Sequence, residues 1–214
     1  MENWTEKSCA DFVRQLAAKQ PIPGGGGAAA LTAALAAALC AMAGQYTVGK
    51  KSAALWEEEL RSVLAESETL SERFLELMNG DAEAFAPMAE GYALPKDSPE
   101  RAAKLKEGAR CAARVPQELL RLCRRTMELL MLFAERGSAS LLSDVCCAAI
   151  LCRAAAECSV WNVRVNAEAL HERAETVRME SEAETLQSDC AARAEAVLRT
   201  VEQRFSQKGK SGLV

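Results

Sequence analysis

The sequence predicts an all-α protein: an antiparallel bundle of long helices in a single domain. Apolar residues recur three and four positions apart through almost every segment, which is typical of amphipathic helices. No alternating apolar run, and no Val/Ile/Thr-rich segment bounded by turns, indicates a strand. The segments that connect the predicted helices are short, and short connections place consecutive helices side by side in antiparallel directions. With 214 residues and only 5% aromatic residues, the chain can bury one sizeable core, built mainly from Ala, Leu, Val and Met.

The N-terminal third is predicted to form two helices separated by a glycine run. Thr5 caps a first helix to about Gln20, where Pro21 and Pro23 stop it. Its apolar face consists of Phe12, Val13 and Leu16. The second helix begins after the glycines and carries one leucine-rich stripe: Leu31, Leu35, Leu39 and Met42. A second, flat surface for close packing is formed by Ala30, Ala34, Ala37 and Ala41.

Five further helices are predicted. One covers about 52–78, Asn79-Gly80 interrupts or bends it, and a short helix follows over about 81–92. Ser98 and Pro99 start a helix that reaches about 136 and ends at Gly137, with Pro116 as a point where it could bend. Another helix covers about 140–170, and the last one reaches about 205. We therefore expect one domain over 1–206 and a disordered tail over 207–214.

Composition excludes several classes of function. A net charge of -4 argues against a nucleic-acid partner, which requires a basic surface. Nine cysteines accompany one histidine without zinc-type spacing, so we expect reduced thiols in a cytoplasmic protein and no metal. The charge-free stretch between Lys19 and Lys50 is rich in alanine and glycine and contains two prolines. It favours a buried helix over a membrane span.

The glycine run Gly24, Gly25, Gly26 and Gly27 allows two interpretations. The free amides and dipole of the helix that follows favour an anion such as a carboxylate or phosphate. The alternative is a flexible connector, although flanking prolines are unusual for one. Neither GxGxxG in a strand-helix-strand unit nor GxxxxGK[ST] is present.

Four charged residues also carry a structural alternative. Lys50 and Lys51 follow the second helix, where cations commonly compensate the helix dipole. Asp81 stands at a predicted helix start, where aspartate is usually a cap. Asp144 lies in an apolar run near the start of a long helix, and a buried carboxylate there would need a partner.

Asn162 and Asn166 are four residues apart on one helix face, where their amides could contact a heterocycle or cross-link helices. Trp161, beside them, is predicted to be a core residue. His171 is predicted to be a solvated helix residue, and nothing supports a triad built on it.

Taken in order, these segments resemble the cyclodeaminase domain of formiminotransferase-cyclodeaminase. The resemblance rests on the following segments: Pro21-Ile22-Pro23-Gly24-Gly25-Gly26, the Ala/Leu helix, 42–51, Asp81-Ala82-Glu83-Ala84-Phe85, Leu94-Pro95-Lys96, Ser143-Asp144 and 162–166. It covers about residues 9–166. The family is all-helical and dimeric, so the resemblance implies a homodimer. Two positions depart from the family pattern: Gly27 replaces a usual serine, and Gln45-Tyr46 replaces a frequent Asn-Leu.

The resemblance implies that the chain cyclises 5-formiminotetrahydrofolate to 5,10-methenyltetrahydrofolate and releases ammonia. Asp81 would be the proton donor and Asp144 a second carboxylate or pterin anchor. Gly24 to Gly27, with Lys50 and Lys51, would hold a carboxylate of the folate tail, which can be polyglutamylated. The remaining polar wall would be Asn162, Arg164 and Asn166. Two alternatives stay open: a methenyltetrahydrofolate cyclohydrolase, and a non-catalytic helical dimer.

Overall fold

The computed structural model describes residues 3–211, and it describes side chains as far as 207. It contains six α-helices and two short 3-10 helices in the following order: 3-10 Trp4–Glu6, α1 Cys9–Leu16, α2 Gly25–Gln45, 3-10 Lys51–Trp56, α3 Glu57–Ala93, α4 Pro99–Arg136, α5 Leu142–Glu168 and α6 Arg173–Ser211. No strand occurs in the described range. The all-α prediction is therefore confirmed.

The N-terminus is divided differently from the prediction. Asn3 caps the short 3-10 helix by accepting from the Thr5 amide, and Ser8 caps α1. Thr5 is therefore not the cap, because Ser8 lies next to the first full turn of α-helix. Of the predicted apolar face, Phe12 is buried, whereas Val13 is 62% exposed.

Helix α3 is continuous through Asn79-Gly80, where a break or bend was predicted. Apolar residues on both sides of this dipeptide lie on the same face of one helix, and Phe74, Met78 and Ala82 on that face are all buried. Packing of that face against the core outweighs the weak helix propensity of Asn and Gly. Asp81 consequently lies inside a long helix and does not cap the helix that contains it.

The other boundaries differ less. Helix α4 runs from Pro99 past Pro116 to Arg136, as predicted. Helix α5 ends at Glu168, and exposed His171 lies beyond it with a left-handed φ of 55°, a common way to end a helix. Helix α6 extends to Ser211, past its predicted end near 205. The rest of the predicted disordered tail, 212–214, lies outside the described residues.

The contacts between α3 and α4 fix how these helices lie side by side. Arg73 pairs with Glu118, and Arg125 pairs with Glu66, so positions rise along α4 as they fall along α3. Helix α2 packs on both α3 and α5, and α6 packs on α4 and α5. One buried cluster, drawn from all of these helices, forms the core.

Helix α2 buries its alanine surface, whereas its leucine stripe is only partly buried. Ala30, Ala33 and Ala37 have no exposed surface, whereas Leu35 is 52% exposed. Small side chains let α3 and α5 approach α2 closely, so alanine forms the centre of the contact and leucine lies at its edge. Helix α2 is long and apolar enough to cross a membrane, but 61% of its most apolar window is buried by the rest of the molecule. That burial agrees with the predicted core helix.

None of the nine cysteines forms a disulfide. Cys40, Cys123, Cys152 and Cys190 are buried, and burial raises the pKa of the Cys40 thiol to about 12. Such thiols are unreactive packing residues.

Candidate functional site

The first turn of α2 is built from glycine, and it is not a flexible connector. Gly24 is the N-cap and offers no side chain to the free amides of the turn. A carboxylate from another helix satisfies one of them, since the Gly27 amide donates to Oδ2 of Asp81 at 2.9 Å. Asp81 therefore caps α2 across 54 residues of sequence.

Close approach explains the glycine at position 26. A Cβ atom there would lie 2.1 Å from Oδ1 of Asp81, far inside van der Waals contact. At position 27 the nearest atoms to a Cβ would be 3.8 Å away. Gly26 is therefore required sterically, whereas Gly27 contributes only its amide. The absence of the family's serine at position 27 leaves room that a side chain could occupy.

Burial dominates the electrostatics of Asp81. It raises the pKa of the Asp81 carboxyl, because removal from water disfavours the charged form. The hydrogen bond from the Gly27 amide opposes this shift by stabilising the carboxylate. A half-buried carboxyl with a raised pKa is suited to hold and deliver a proton.

Asn162 lies on the other side of the glycine turn. Its Oδ1 atom would be 3.4 Å from a Cβ on Gly25, and its Nδ2 atom donates to the Cys158 carbonyl oxygen at 2.9 Å. A cavity of about 380 Å³ opens here. Its lining consists of Gly25, Ala28, Ala29, Thr32, Cys158, Trp161 and Asn162. Asp81 and Asn162 thus flank the first turn of α2.

Trp161 contradicts its prediction as a core residue. It is 65% exposed and forms part of this cavity. The guanidinium of Arg164 lies 4.9 Å from the centre of its ring. Trp161 lies on one stripe of α5 with Cys158 and Val165, and both of these side chains are also exposed. The helical spacing of these three residues could have indicated that Trp161 is exposed. Sequence analysis also missed Cys158 and Thr32 as lining residues.

Arg164 and Asn166 hold helices together in this chain. Nη2 of Arg164 donates to Glu184 of α6 at 2.6 Å. Nδ2 of Asn166 donates to the Ala112 carbonyl oxygen of α4 at 3.0 Å. Asn166 therefore provides the helix cross-link that was one of its two predicted roles.

Lys50 and Lys51 lie beyond the far end of α2 and are exposed. Nζ of Lys50 donates to Oγ of Ser138 at 2.7 Å. The hydroxyl oxygen of buried Thr47 accepts a 2.9 Å hydrogen bond from the Ser138 amide, and this bond fixes the turn before α5. These lysines stand a helix length from Gly24–Gly27, and one chain does not bring the two groups together.

Asp144, in the first turn of α5, belongs to the same far end. It is partly buried and accepts a 3.4 Å hydrogen bond from Ser143. About 27 Å of helix separates it from Asn162, at about 1.5 Å per residue. The predicted site residues therefore form two groups at opposite ends of the bundle, which we call the glycine end (Gly24–Gly27, Asp81, Asn162) and the lysine end (Lys50, Lys51, Asp144).

Over the residues described, no group of three or more His, Cys, Asp or Glu side chains could hold a metal ion. What the glycine end offers chemically is the half-buried carboxyl of Asp81 with its raised pKa, an amide on Asn162 and an open apolar wall at Trp161.

Comparisons with known proteins match this architecture. The family model described as formiminotransferase-cyclodeaminase matches residues 8–185. A methenyltetrahydrofolate cyclohydrolase from Methylorubrum extorquens is 36% identical over 199 residues, covering 91% of this chain and 96% of that protein. The mouse formimidoyltransferase-cyclodeaminase is 35% identical over 165 residues, which is 75% of this chain but 30% of the mouse protein.

A solved structure agrees as well. The crystal structure of formiminotetrahydrofolate cyclodeaminase from Thermotoga maritima superposes with a TM-score of 0.84 at 28% sequence identity, covering 94% of this chain and 98% of that one. Sequence and fold agree over nearly the whole chain, and on this evidence the protein belongs to the formiminotransferase-cyclodeaminase family.

Proposed function

We propose that this protein is a folate-dependent one-carbon enzyme that cyclises 5-formiminotetrahydrofolate to 5,10-methenyltetrahydrofolate and releases ammonia. The observation that carries the proposal is the half-buried Asp81 carboxyl, with its raised pKa, bonded to the first turn of α2. Membership of the family supplies the substrate class.

The chemistry needs orientation and proton transfer. N10 of the folate attacks the formimino carbon, a five-membered ring closes, and the bond from that carbon to the departing nitrogen breaks. The departing nitrogen gains two protons before it leaves as ammonia: protonated Asp81 supplies one, and the other is the proton that N10 loses on ring closure. Both reacting atoms belong to one substrate, so holding it in the ring-closing conformation contributes much of the rate. In this proposal Asn162 and the exposed ring of Trp161 contact the pterin ring system.

An antiparallel pair of such bundles would complete the site. The exposed apolar side chains of α2 and α5 are Leu35, Ile150, Trp161 and Val165. By contrast, ion pairs between neighbouring helices line the surfaces of α3, α4 and α6, as with Arg125–Glu66 and Arg124–Asp189. Within the described residues no ion pair joins α2 to α5, although Arg164 of α5 pairs with Glu184 of α6. An apolar face with few ion pairs is typical of a subunit interface. We infer that the α2–α5 face forms a homodimer.

The symmetry of such a dimer has a consequence for catalysis. A two-fold axis near the middle of α2 exchanges the two ends of the bundle, so the lysine end of one subunit lies near the glycine end of the other. Asp144 of the partner subunit would then approach Asp81 and Asn162. The separation of the predicted residues within one chain is explained in this way.

A methenyltetrahydrofolate cyclohydrolase is the second candidate, because a relative of that name matches over 96% of its own length at 36% identity. In that reaction water attacks the methenyl carbon and the ring opens to 10-formyltetrahydrofolate. The same acid–base group at the same carbon serves both reactions.

One assay separates the candidates. Purified protein is given 5-formiminotetrahydrofolate, and ammonia and methenyl absorbance are followed together; a second reaction starts from 5,10-methenyltetrahydrofolate. Rising absorbance with ammonia supports the cyclodeaminase. Loss of absorbance faster than the uncatalysed rate, without ammonia, supports the cyclohydrolase. No change above background in either reaction would contradict both.

A further inference from the structure

The exposed side of α2 carries a row of residues that are alternately three and four positions apart. In chain order they are Gly25, Ala28, Thr32, Leu35, Leu39, Met42 and Tyr46. All of them are partly or fully exposed, whereas most residues between them are buried. We call this set the α2 seam. An average spacing of about 3.5 residues keeps such a row facing a second helix that lies within about 20° of the first over its whole length.

The α2 seam is graded in size along the helix. Its N-terminal half contains small residues: Gly25, Ala28 and Thr32. Its C-terminal half contains large residues: Leu39, Met42 and Tyr46. Two copies that pair in opposite directions place the large half of each against the small half of the other, as close packing requires. Two copies that pair in the same direction would crowd one end and leave a void at the other.

A two-fold axis at Leu35 brings these halves into register. Gly25 lies ten residues before Leu35 and Tyr46 lies eleven residues after it, which is about 15 and 16 Å along the helix. The axis therefore sets Tyr46 of the partner subunit level with Gly25, to within about 2 Å. In the same way it sets Met42 of the partner subunit level with Ala28. The seam carries no charged residue, so this pairing opposes no like charges.

The small half of the α2 seam forms the floor of the cavity at the glycine end. All three of its residues line that cavity, together with Trp161 and Asn162. A partner subunit in this register covers the cavity with the large half of its own seam. Tyr46 of the partner subunit then lies at the end nearest Asn162, because Oδ1 of Asn162 would be 3.4 Å from a Cβ on Gly25.

Packing within one chain does not require the glycine at position 25. The nearest atom to a Cβ there would be 3.4 Å away, an ordinary contact, whereas a Cβ on Gly26 would lie 2.1 Å from Asp81. Gly25 is also exposed. The space above it is therefore open to a second molecule, and a position without a side chain accommodates an aromatic ring from outside.

Tyr46 is an exposed side chain on a fixed backbone. It is 56% exposed at the C-terminal end of α2, where its amide donates to the Met42 carbonyl oxygen at 3.1 Å. The next residue, Thr47, is buried. Its hydroxyl donates to the Ala43 carbonyl oxygen at 2.6 Å and accepts from the Ser138 amide at 2.9 Å. The family pattern frequently has leucine where this chain has Tyr46, so the aromatic ring distinguishes this chain.

We propose that Tyr46 of the partner subunit completes the wall of the cavity at the glycine end and that its ring contacts the pterin bound there. This inference rests on the proposed function, because it takes a folate as the ligand and the α2–α5 face as the subunit interface. An aromatic contact strengthens binding of a flat heterocycle and takes no part in proton transfer. Its loss therefore raises KM and leaves kcat unchanged.

The first test measures KM and kcat of Tyr46→Leu, Tyr46→Phe and the matched control Tyr92→Leu. The substrate is the folate that the wild type turns over, 5-formiminotetrahydrofolate or 5,10-methenyltetrahydrofolate. Tyr92 is 55% exposed and lies near the C-terminal end of α3, outside the α2 seam. We expect KM to rise about three- to tenfold in Tyr46→Leu, the range for one aromatic contact, with kcat within about twofold. Tyr46→Phe and Tyr92→Leu should match the wild type.

Mixed dimers show which subunit supplies the ring. In the first, isolated with two affinity tags, one subunit carries Asp81→Asn and the other carries Tyr46→Leu. Its one active site combines Asp81 of the second subunit with Tyr46 of the first, so KM should equal that of the wild type. In the reciprocal dimer one subunit carries both substitutions and the other is wild type. Its one active site then faces the substituted position 46, so KM should be raised.

Three results would overturn the inference while the proposed function stands. An unchanged KM in a folded, dimeric Tyr46→Leu protein shows that the ring does not contact the folate. A raised KM in the first mixed dimer, with a wild-type KM in the reciprocal one, places the contact within one chain. A wild type that is monomeric by light scattering removes the partner altogether. If the wild type turns over neither folate, the proposed function itself fails and the inference fails with it. Circular dichroism verifies that each variant is folded.

Discussion

The catalytic role proposed for Asp81 comes at a cost to stability. Its carboxyl is half-buried in α3, and the only hydrogen bond it makes to the described residues comes from the Gly27 amide. Burial raises its pKa above the ordinary value of about 3.9. A carboxyl that is harder to ionise when folded destabilises the folded state at neutral pH. Functional sites commonly bear such costs.

The pH dependence of stability follows from this shift. Between the unfolded and the raised folded pKa of Asp81, the folded state binds more protons, so its stability falls as pH rises through that window. Asp81→Asn keeps an acceptor for the Gly27 amide and removes the charge. We expect thermal denaturation at pH 7 to show Asp81→Asn at least as stable as the wild type, with the difference vanishing below about pH 3.9. A less stable variant at pH 7, matched at low pH, would contradict this assignment.

Two adjacent glycines give a matched pair of variants. Gly26→Ala puts a Cβ 2.1 Å from Oδ1 of Asp81, so the carboxylate must move. We expect a loss of about 1–3 kcal/mol in unfolding free energy, together with most of the activity. Gly27→Ala meets nothing closer than 3.8 Å and should stabilise α2 by about 0.5–1 kcal/mol, with activity retained. Urea denaturation and turnover measure both, and equal effects would refute the steric account.

At the scale of helices, periodicity predicted which segments are helical but not where each one ends. Asn and Gly have weak helix propensity, so Asn79-Gly80 predicts a break in the helix. Helix α3 nevertheless continues through it, because Met78 and Ala82 lie on one buried stripe. The same limit applies to α2, where two apolar faces were visible in the sequence. Which face of α2 enters the core depends on how closely α3 and α5 approach α2. The sequence of α2 alone does not determine that distance.

Gly80 and Gly44 test these packing arguments. A Cβ at Gly80 meets nothing within 4 Å, so Gly80→Ala should stabilise continuous α3 by about 0.5–1 kcal/mol. A Cβ at Gly44 would lie 2.9 Å from Phe133 and 3.0 Å from Leu64, so Gly44→Ala should destabilise by about 1–3 kcal/mol. Chemical denaturation measures both. Destabilisation by Gly80→Ala would show that α3 needs a bend there.

At the scale of the whole molecule, the candidate site was only partly predictable. Asp81 and Asn162 were expected together, and both lie against the glycine turn. Asp144 and Lys50 were expected with them, yet they stand at the other end of α2. The exposed position of Trp161 was not predicted. Its neighbours on α5 are apolar, and an apolar segment is assigned to the core when no partner surface is considered. A sequence carries no direct signal of which apolar face meets a second subunit.

Subunit complementation tests the shared site. Asp81→Asn and Asp144→Asn should each abolish turnover. If each site takes Asp81 from one subunit and Asp144 from its partner, random mixing of the two variants restores one intact site in half of the dimers, or about a quarter of the wild-type activity. Turnover of the unfolded and refolded mixture measures this, with each variant refolded alone as the control. No recovery in a mixture shown to be dimeric would contradict a site shared between the two subunits.

The central claim is that Asp81 donates a proton in folate ring chemistry at the glycine end of the bundle. The most direct measurement follows methenyl absorbance and ammonia from 5-formiminotetrahydrofolate, comparing the wild type with Asp81→Asn across pH. We predict that wild-type turnover falls as pH rises through the raised pKa of Asp81 and that Asp81→Asn, though folded and still binding the folate, loses at least about a hundredfold in rate. Full turnover by a folded Asp81→Asn protein, with the pH profile unchanged, would contradict the claim.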